Sequence, residues 1–305
     1  MKIYEYGKSE MPALPCTLAI GIFDGVHIAH RELIGRAVEY AKSNGIRSGV
    51  FTFSSKNRIK SGKDIYTLGQ RLEIIEKLGV DFCIVADFSD IRNISPEDFC
   101  RDILVKKFAC RAAVVGYNFR FGKEATGNSD TLLELMRGLN ATAIICPEKK
   151  LFGTSISSTA IRAYLESGEI KTANAMLGEE YYISGAVVHG RGIGGKRLGS
   201  PTANIQIQAE RLSPRFGVYA ARALVKEKEF AAAVNVGTCP TYIGLQPHAE
   251  AYIIGCSDNL YGEEIKLSLV SFLREEQRFF SENELKKQIE VDINAVLKEL
   301  KANNE

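Results

Sequence analysis

At 305 residues, with 45% hydrophobic and 25% charged side chains, the chain is long enough for two cores and has the composition of a globular protein rather than a disordered or fibrous one. A formal net charge of +2 argues against a broadly basic surface for nucleic acid or membrane, although a few cations and backbone amides can still hold a phosphate. The start, MKIYEYGKSEMPALP, lacks the basic-then-apolar order of a signal peptide, and no apolar run is long enough to span a bilayer. Seven scattered cysteines (Cys16, Cys83, Cys100, Cys110, Cys146, Cys239, Cys256) show neither C-x-x-C nor metal-ligand spacing. The expectation is a soluble cytoplasmic protein with reduced thiols, no structural metal, and a monomer as the default state.

In chain order, TLAIGIF, SGVFTF, DFCIVA, AAVVGY and TAIIC read as buried strands bounded by turn-forming or polar residues. Between them, IAHRELIGRAVEYAKSNG, TLGQRLEIIEKLG and SPEDFCRDILVKKF read as amphipathic helices, the last with Ser95 as N-cap and Pro96 at the first helical position. This alternation predicts an α/β fold: a Rossmann-like parallel sheet with helices on both faces and ligands beyond the carboxyl ends of the strands. From about Tyr181 the grammar changes. YYISGAVVHG, TANIQIQ, GVYAARALV, FAAAVNVG, HAEAYIIG and EEIKLSLVSFL read as six strands without intervening helices, an antiparallel β-barrel, followed by a terminal helix opened by a Ser281/Glu284 capping box. The change of period places a boundary near Gly178–Tyr181, giving domains 1–180 and 181–305.

The stretch GIFDGVHIAH, between the first strand and the first helix, holds two of the chain's four histidines. One helical turn separates His27 from His30, roughly 5–6 Å between Cβ atoms, so both can face one phosphate beside the helix N-terminal amides. Such donors suit the charge that develops on an α-phosphate during nucleotidyl transfer. Gly21 and Gly25 would let the backbone approach the nucleotide. A surface or capping pair is the plainer reading of H-x-x-H, and a metal pair has no third ligand nearby. VVGYNFRFGKEATG places Asn118, Arg120 and Phe121 after the fourth strand, at the ligand edge. SISSTAIR offers hydroxyls at a helix start with Arg162 in its first turn, which serve either as an ordinary cap or as a grip on a triphosphate.

Strand–GIFDGVHIAH–helix, VGYNFRFG and SSTAIR, in that order before a β-rich half, resemble the bacterial bifunctional riboflavin kinase/FAD synthetase (FMN adenylyltransferase) family over nearly the whole chain. The resemblance implies that His27 and His30 are the adenylyltransferase histidine pair, stabilising transfer of AMP from ATP to FMN. It likewise implies ATP contacts at Gly21, Phe23, Asp24, Gly25, Ser158, Thr159 and Arg162, and phosphate or flavin contacts at Asn118, Arg120 and Phe121. The chain departs from the family at Ala29, where a glycine usually separates the histidines. It departs again at TFSSKN, where Lys56 replaces a phosphate-side histidine and two prolines are missing, and at Ala160, where an arginine is common.

In the second half, HGRGIGGKRLGSPTANI carries Gly190, Gly192, Gly194, Gly195, Lys196 and Gly199 in a loop able to wrap phosphates with backbone amides, without the P-loop spacing. Thr202 and Asn204 follow on one face of a strand, two neutral oxygens suited to Mg²⁺. By resemblance PTAN is the riboflavin kinase signature, and Glu250 in AEAYII is the base for the riboflavin 5′-hydroxyl. Ser200 and Cys239 depart from the usual aromatic and arginine. Arg274 reads as a surface ion pair, and His189 and His248 as structural. The implied chemistry is riboflavin to FMN and then FMN to FAD, each with MgATP. Open alternatives are a riboflavin kinase with an altered N-terminal domain, a nucleotidyltransferase for another acceptor, and a flavin-binding regulator without turnover.

Overall fold

Buried apolar runs become neighbouring strands in the computed structural model, which describes residues 1–54, 62–188, 202–238 and 246–302. The chain forms two compact units, Met1–Ser158 and Thr159–Glu305. The first is built on a six-stranded sheet: β1 (Lys2–Glu5), β2 (Cys16–Ile20), β3 (Arg47–Phe53), β4 (Phe82–Ala86), β5 (Cys110–Gly116) and β6 (Thr142–Cys146), in the spatial order β1-β4-β3-β2-β5-β6. Every neighbouring pair is parallel. All five residues of β2 are buried, as a central strand covered on both faces requires. Packing between strands is tight enough to dictate residue size: a Cβ at Gly49 would stand 2.4 Å from the Phe82 ring. Beside it, Phe51 meets Phe53, Phe99 and Phe108 edge-on or tilted, the centre of an aromatic core.

The helices begin and end where their caps say. Helix α1 (Ile28–Asn44) buries Leu33, Ile34, Ala37 and Ala41, one stripe at helical spacing, and stops at Gly45, whose φ of 63° and N–H bonds to Ala41 O and Lys42 O close the last turn. Helix α2 (Leu68–Lys77) opens with a reciprocal Thr67/Gln70 capping box. Ser95 caps as expected, accepting from Asp98 N at 3.1 Å. From Phe99 to Lys107 the chain then winds as a π-helix, with Phe108 N bonded to Ile103 O, five residues back. The structure adds elements that the periodicity did not reveal: edge strand β1, where only Tyr4 is buried, and the helices Ser129–Gly138 and Ile170–Leu177.

The second unit carries the barrel: β7 (Tyr182–Ala186), β8 (Thr202–Gln206), β9 (Gly217–Val225), β10 (Lys228–Thr238), β11 (Pro247–Ile253) and β12 (Glu264–Arg274), in the order β7-β12-β9-β10-β11-β8. All of its pairs are antiparallel. The two edges meet through an antiparallel bridge between Val188 and Asn204, with Val188 N donating to Asn204 O at 2.9 Å. Along β11 the period is two: Ala249, Ala251 and Ile253 are buried, while His248, Glu250 and Tyr252 alternate with them toward the outer face. The terminal helix Glu282–Ala302 lays Val296 and Leu300 over Ala220, Ala231 and Ala233. Its start is capped by Ser281, which accepts from Glu284 N, while the Glu284 carboxylate reaches back to Phe280 N. Among the described residues no helix is long and apolar enough to cross a membrane.

Candidate functional site

Two sites emerge, one in each unit. At the carboxyl end of β2, the loop from Gly21 to His27 takes a conformation that ordinary side chains avoid. Phe23 (φ 53°), Gly25 (φ 80°) and Val26 (φ 41°) all lie in the left-handed region, and for β-branched Val26 that is a strained geometry. Gly25 meets this demand without a Cβ penalty. At Gly21 a Cβ would press on the Phe23 ring at 3.1–3.3 Å, so the space this glycine leaves is taken by Phe23.

The strain persists because distant residues over-determine the loop. Ile22 O accepts from the Thr52 hydroxyl (3.0 Å) and from Arg71 Nη1 (2.6 Å). The Asp24 carboxylate is buried and accepts from Ile65 N at 3.0 Å, and Asp24 O accepts from Ser158 Oγ at 2.8 Å. Val26 O accepts from Arg31 Nε at 2.9 Å.

His27 is the N-cap of α1, its Nδ1 accepting from His30 N at 3.3 Å. An Nδ1 that accepts leaves the proton of a neutral imidazole on Nε2, which makes Nε2–H the donor available to a ligand. The two rings stack at 3.5 Å between centroids with 15° between their planes, and Phe23 meets His30 edge-on at 5.2 Å. Burial pushes His27 down to about 4. His30 is held well below its ordinary value by burial first, then by the positive charges of His27 and Arg71. Two stacked imidazoles this close are therefore both neutral near pH 7. His30 Nδ1 is buried with no hydrogen-bond partner among the described residues.

The other residues singled out from the sequence sort by exposure. Asn118 and Arg120 are exposed beyond β5, at the same end of the sheet, while Phe121 is buried in the aromatic core against Phe99 and Phe119. Ser158 closes the first unit on the His27 loop. Thr159 and Arg162 continue its helix, Ser158–Ser167, in the second unit, exposed and half-buried respectively. Ala29 is half-buried in the first turn of α1.

On the barrel, register does the assembling. Thr202, Asn204 and Gln206 of β8 stand opposite Tyr252, Glu250 and His248 of β11. Thr202 Oγ1 donates to Glu250 Oε1 at 2.9 Å, and Asn204 is buried beside it. The structure thus brings Thr202, Asn204 and Glu250 to one face. From the other side Asn235 of β10 faces Glu250 in register, a neighbour the sequence did not single out. Its amide donates to Glu276 Oε1 at 3.1 Å, and its buried Oδ1 has no partner among the described residues. Arg274 makes a two-pronged pair with Asp292 of the terminal helix (2.9 and 2.7 Å), an ion pair as expected but one largely withdrawn from solvent. His248 keeps a buried Nδ1 with no hydrogen-bond partner among the described residues. Gly190, Gly192, Gly194, Gly195, Lys196 and Gly199 lie outside the described residues, as do Lys56, His189, Ser200 and Cys239. Among the described residues no cluster of three or more His, Cys, Asp or Glu could hold a metal ion, and six cysteines are free and buried.

Comparison with known proteins assigns each unit a family. The model for FAD synthetase matches residues 10–160, and the model for riboflavin kinase matches residues 177–300. The bifunctional riboflavin kinase/FMN adenylyltransferase of Bacillus subtilis (strain 168) is 32% identical over 287 residues, covering 90% of this chain and 89% of that protein. The protein of the same description from Escherichia coli (strain K12) is 33% identical over 298 residues, covering 94% and 93%. A solved structure described as a macrolide-efflux protein from Streptococcus pneumoniae superposes with a TM-score of 0.87 over 97% of this chain and 99% of its own; at 24% identity that likeness speaks for the fold alone. With both family models present on one chain, and relatives of this identity spanning nine-tenths of it, the chain belongs to the bifunctional riboflavin kinase/FMN adenylyltransferase family.

Proposed function

We propose that this chain carries out two consecutive transfers to one flavin: the barrel phosphorylates riboflavin with ATP to give FMN and ADP, and the parallel-sheet unit adenylylates FMN with a second ATP to give FAD and pyrophosphate. The observation that carries this reading is the presence of both family matches on one chain, at residues 10–160 and 177–300.

In the kinase step Glu250 takes the proton from the 5′-hydroxyl as its oxygen attacks the γ-phosphorus of ATP, and ADP leaves. A carboxylate that already accepts a hydroxyl at 2.9 Å is shaped for that task. The hard-oxygen donor set of Thr202 and Asn204, side by side on the face of Glu250, suits Mg²⁺, with phosphates and water as its remaining ligands; when bound the ion neutralises phosphate charge. Gly190, Gly192, Gly194, Gly195, Lys196 and Gly199 are assigned to the ATP phosphates.

In the adenylyl step a phosphate oxygen of FMN attacks the α-phosphorus, and pyrophosphate leaves. The Nε2–H of His27, and His30 beside it, face the charge that builds on the α-phosphate, worth about 3–4 kcal/mol per well-placed donor. Gly21, Phe23, Asp24 and Gly25 shape the ATP pocket, with Asp24 acting through the loop it anchors. Ser158, Thr159 and Arg162 take the ATP phosphates, while Asn118 and Arg120 meet FMN at the strand ends and Phe121 supports them from the core. Free buried thiols and small-molecule substrates fit a cytoplasmic enzyme.

The test is an HPLC time course with riboflavin, ATP and Mg²⁺, repeated starting from FMN. FMN that appears and gives way to FAD meets the proposal. A course that stops at FMN, with no FAD from FMN alone, leaves a riboflavin kinase whose N-terminal unit has lost transfer through Ala29 or the TFSSKN segment.

A further inference from the structure

Arg71, like Arg211, is among the largest fully buried side chains of the described residues. It lies on α2, on the stripe shared with Ile74 and Ile75. A guanidinium is rarely hidden unless its surroundings use it, since the charge must give up its water. Its bonds run to the ligand edge of the sheet. Nη1 donates to Ile22 O at 2.6 Å and lies 3.5 Å from Thr52 Oγ1, and Nη2 donates to Phe53 O at 3.0 Å. Ile22 begins the strained loop beyond β2, and Phe53 ends β3, so one planar fork spans two adjacent strand ends. The buried Asp24 carboxylate of that loop acts on the same guanidinium electrostatically.

We infer that Arg71 is a positioning residue for adenylyl transfer: its fork ties two adjacent strand ends together and fixes the strained loop that presents His27 and His30. This rests on the adenylyltransferase reading above. The groups that act on His30 are the stacked His27 ring and Arg71, with burial as the larger cause of its low affinity for protons. A lysine at this position keeps the charge but gives up the fork, because an ammonium is a point donor rather than a planar pair. A methionine gives up both.

Two measurements test the inference in the full chain. The first is the pH dependence of FAD formation from FMN and ATP for wild type, Arg71→Lys and Arg71→Met, with FMN formation from riboflavin in the same preparations as the internal control. Expected for Arg71→Met is a roughly tenfold to hundredfold loss in kcat for adenylylation. The acid limb of its profile moves upward, because His30 without a cationic neighbour binds a proton more readily, and the kinase rate is unchanged. Expected for Arg71→Lys is a loss in kcat with the acid limb in place. Arg71→Met at the wild-type rate and profile overturns the inference, as does Arg71→Lys indistinguishable from wild type.

The second is NMR titration of the histidine ring protons, practicable with four histidines in the chain. In wild type His30 titrates well below the ordinary histidine range, and in Arg71→Met its titration moves upward. An unmoved titration overturns the charge role whether or not the protein turns over. A wild type without FAD formation sinks the adenylyltransferase reading instead, and leaves this second result to decide what Arg71 does to His30. Should Arg71→Met fail to fold, Arg71→Lys carries the test: loss of adenylylation beside an intact kinase rate supports the inference, and loss of both rates together overturns it.

Discussion

The two sites are held by different means. Around His27 the working part is backbone: a loop with three left-handed residues, pinned by Thr52, Ile65, Arg71 and Ser158 from four other segments. On the barrel the working part is a row of side chains, Asn204, Glu250 and Asn235, whose spacing is set by the strand ladder with no special backbone geometry. A site that presents helix amides and stacked imidazoles to a phosphate must fix the chain itself. A site built around one carboxylate needs a rigid strand and an open face.

The comparison breaks most sharply at Glu250. Glu250→Gln is isosteric and sits on an undisturbed ladder, so FMN formation should fall by roughly 10²–10⁴-fold while FAD formation from added FMN continues at the wild-type rate; HPLC of both reactions reads this directly. His27→Asn is the counterpart. FAD formation should drop by about 10²–10³-fold with FMN formation unchanged, and equal losses in both reactions would mean that the sites do not work separately.

Next in size is a change to the barrel's support. Arg274→Met leaves the buried Asp292 carboxylate without its cation, with only the Gln288 amide still donating to it, and should cost about 3 kcal/mol, seen in urea unfolding followed by circular dichroism. Adding Asp292→Leu should recover part of that loss, because the uncompensated charge is then removed.

The smallest effect sharpens the contrast in the other unit. Burial holds His27 at about 4 when folded, against about 6.5 when exposed, so the unfolded chain takes up the proton first. Stability is full above pH 6.5 and declines on acidification, by about 2 kcal/mol at pH 5 from His27 alone. Melting temperatures between pH 7 and pH 5 should show that decline, and His27→Asn should lessen it, leaving the part that buried His30 contributes.

The strands of both units were legible because burial on both faces, or on alternating faces, leaves an apolar signature that survives in composition alone. Strand β1 was not, since KIYE buries only Tyr4 at an edge. The π-helical winding of Phe99–Lys107 has no signature in residue spacing, and Ser95 and Pro96 announced the same start that an α-helix would have. At the first site the histidines and glycines could be read from their order, but the reason for Gly21 could not, because Phe23 folds back onto it only in three dimensions. Arg71 was missed because arginine in an amphipathic segment reads as solvent-facing. Its spacing of three and four from Ile74 and Ile75 placed it on the buried stripe, and that was the available signal. Asn235 could be found only from the register that sets it opposite Glu250.

The pinned loop also limits what can be done with it by transplantation. GIFDGVHIAH announces the site in sequence, yet the bonds that hold its shape come from residues as far away as Ser158, 134 positions along the chain. Grafted onto another sheet without an Arg71, a Thr52 and an Ile65 amide to receive it, the segment would relax to ordinary dihedrals and turn its imidazoles elsewhere. Its portable unit is the whole sheet edge, and a designer wishing to borrow this chemistry would have to move the clamps together with the motif.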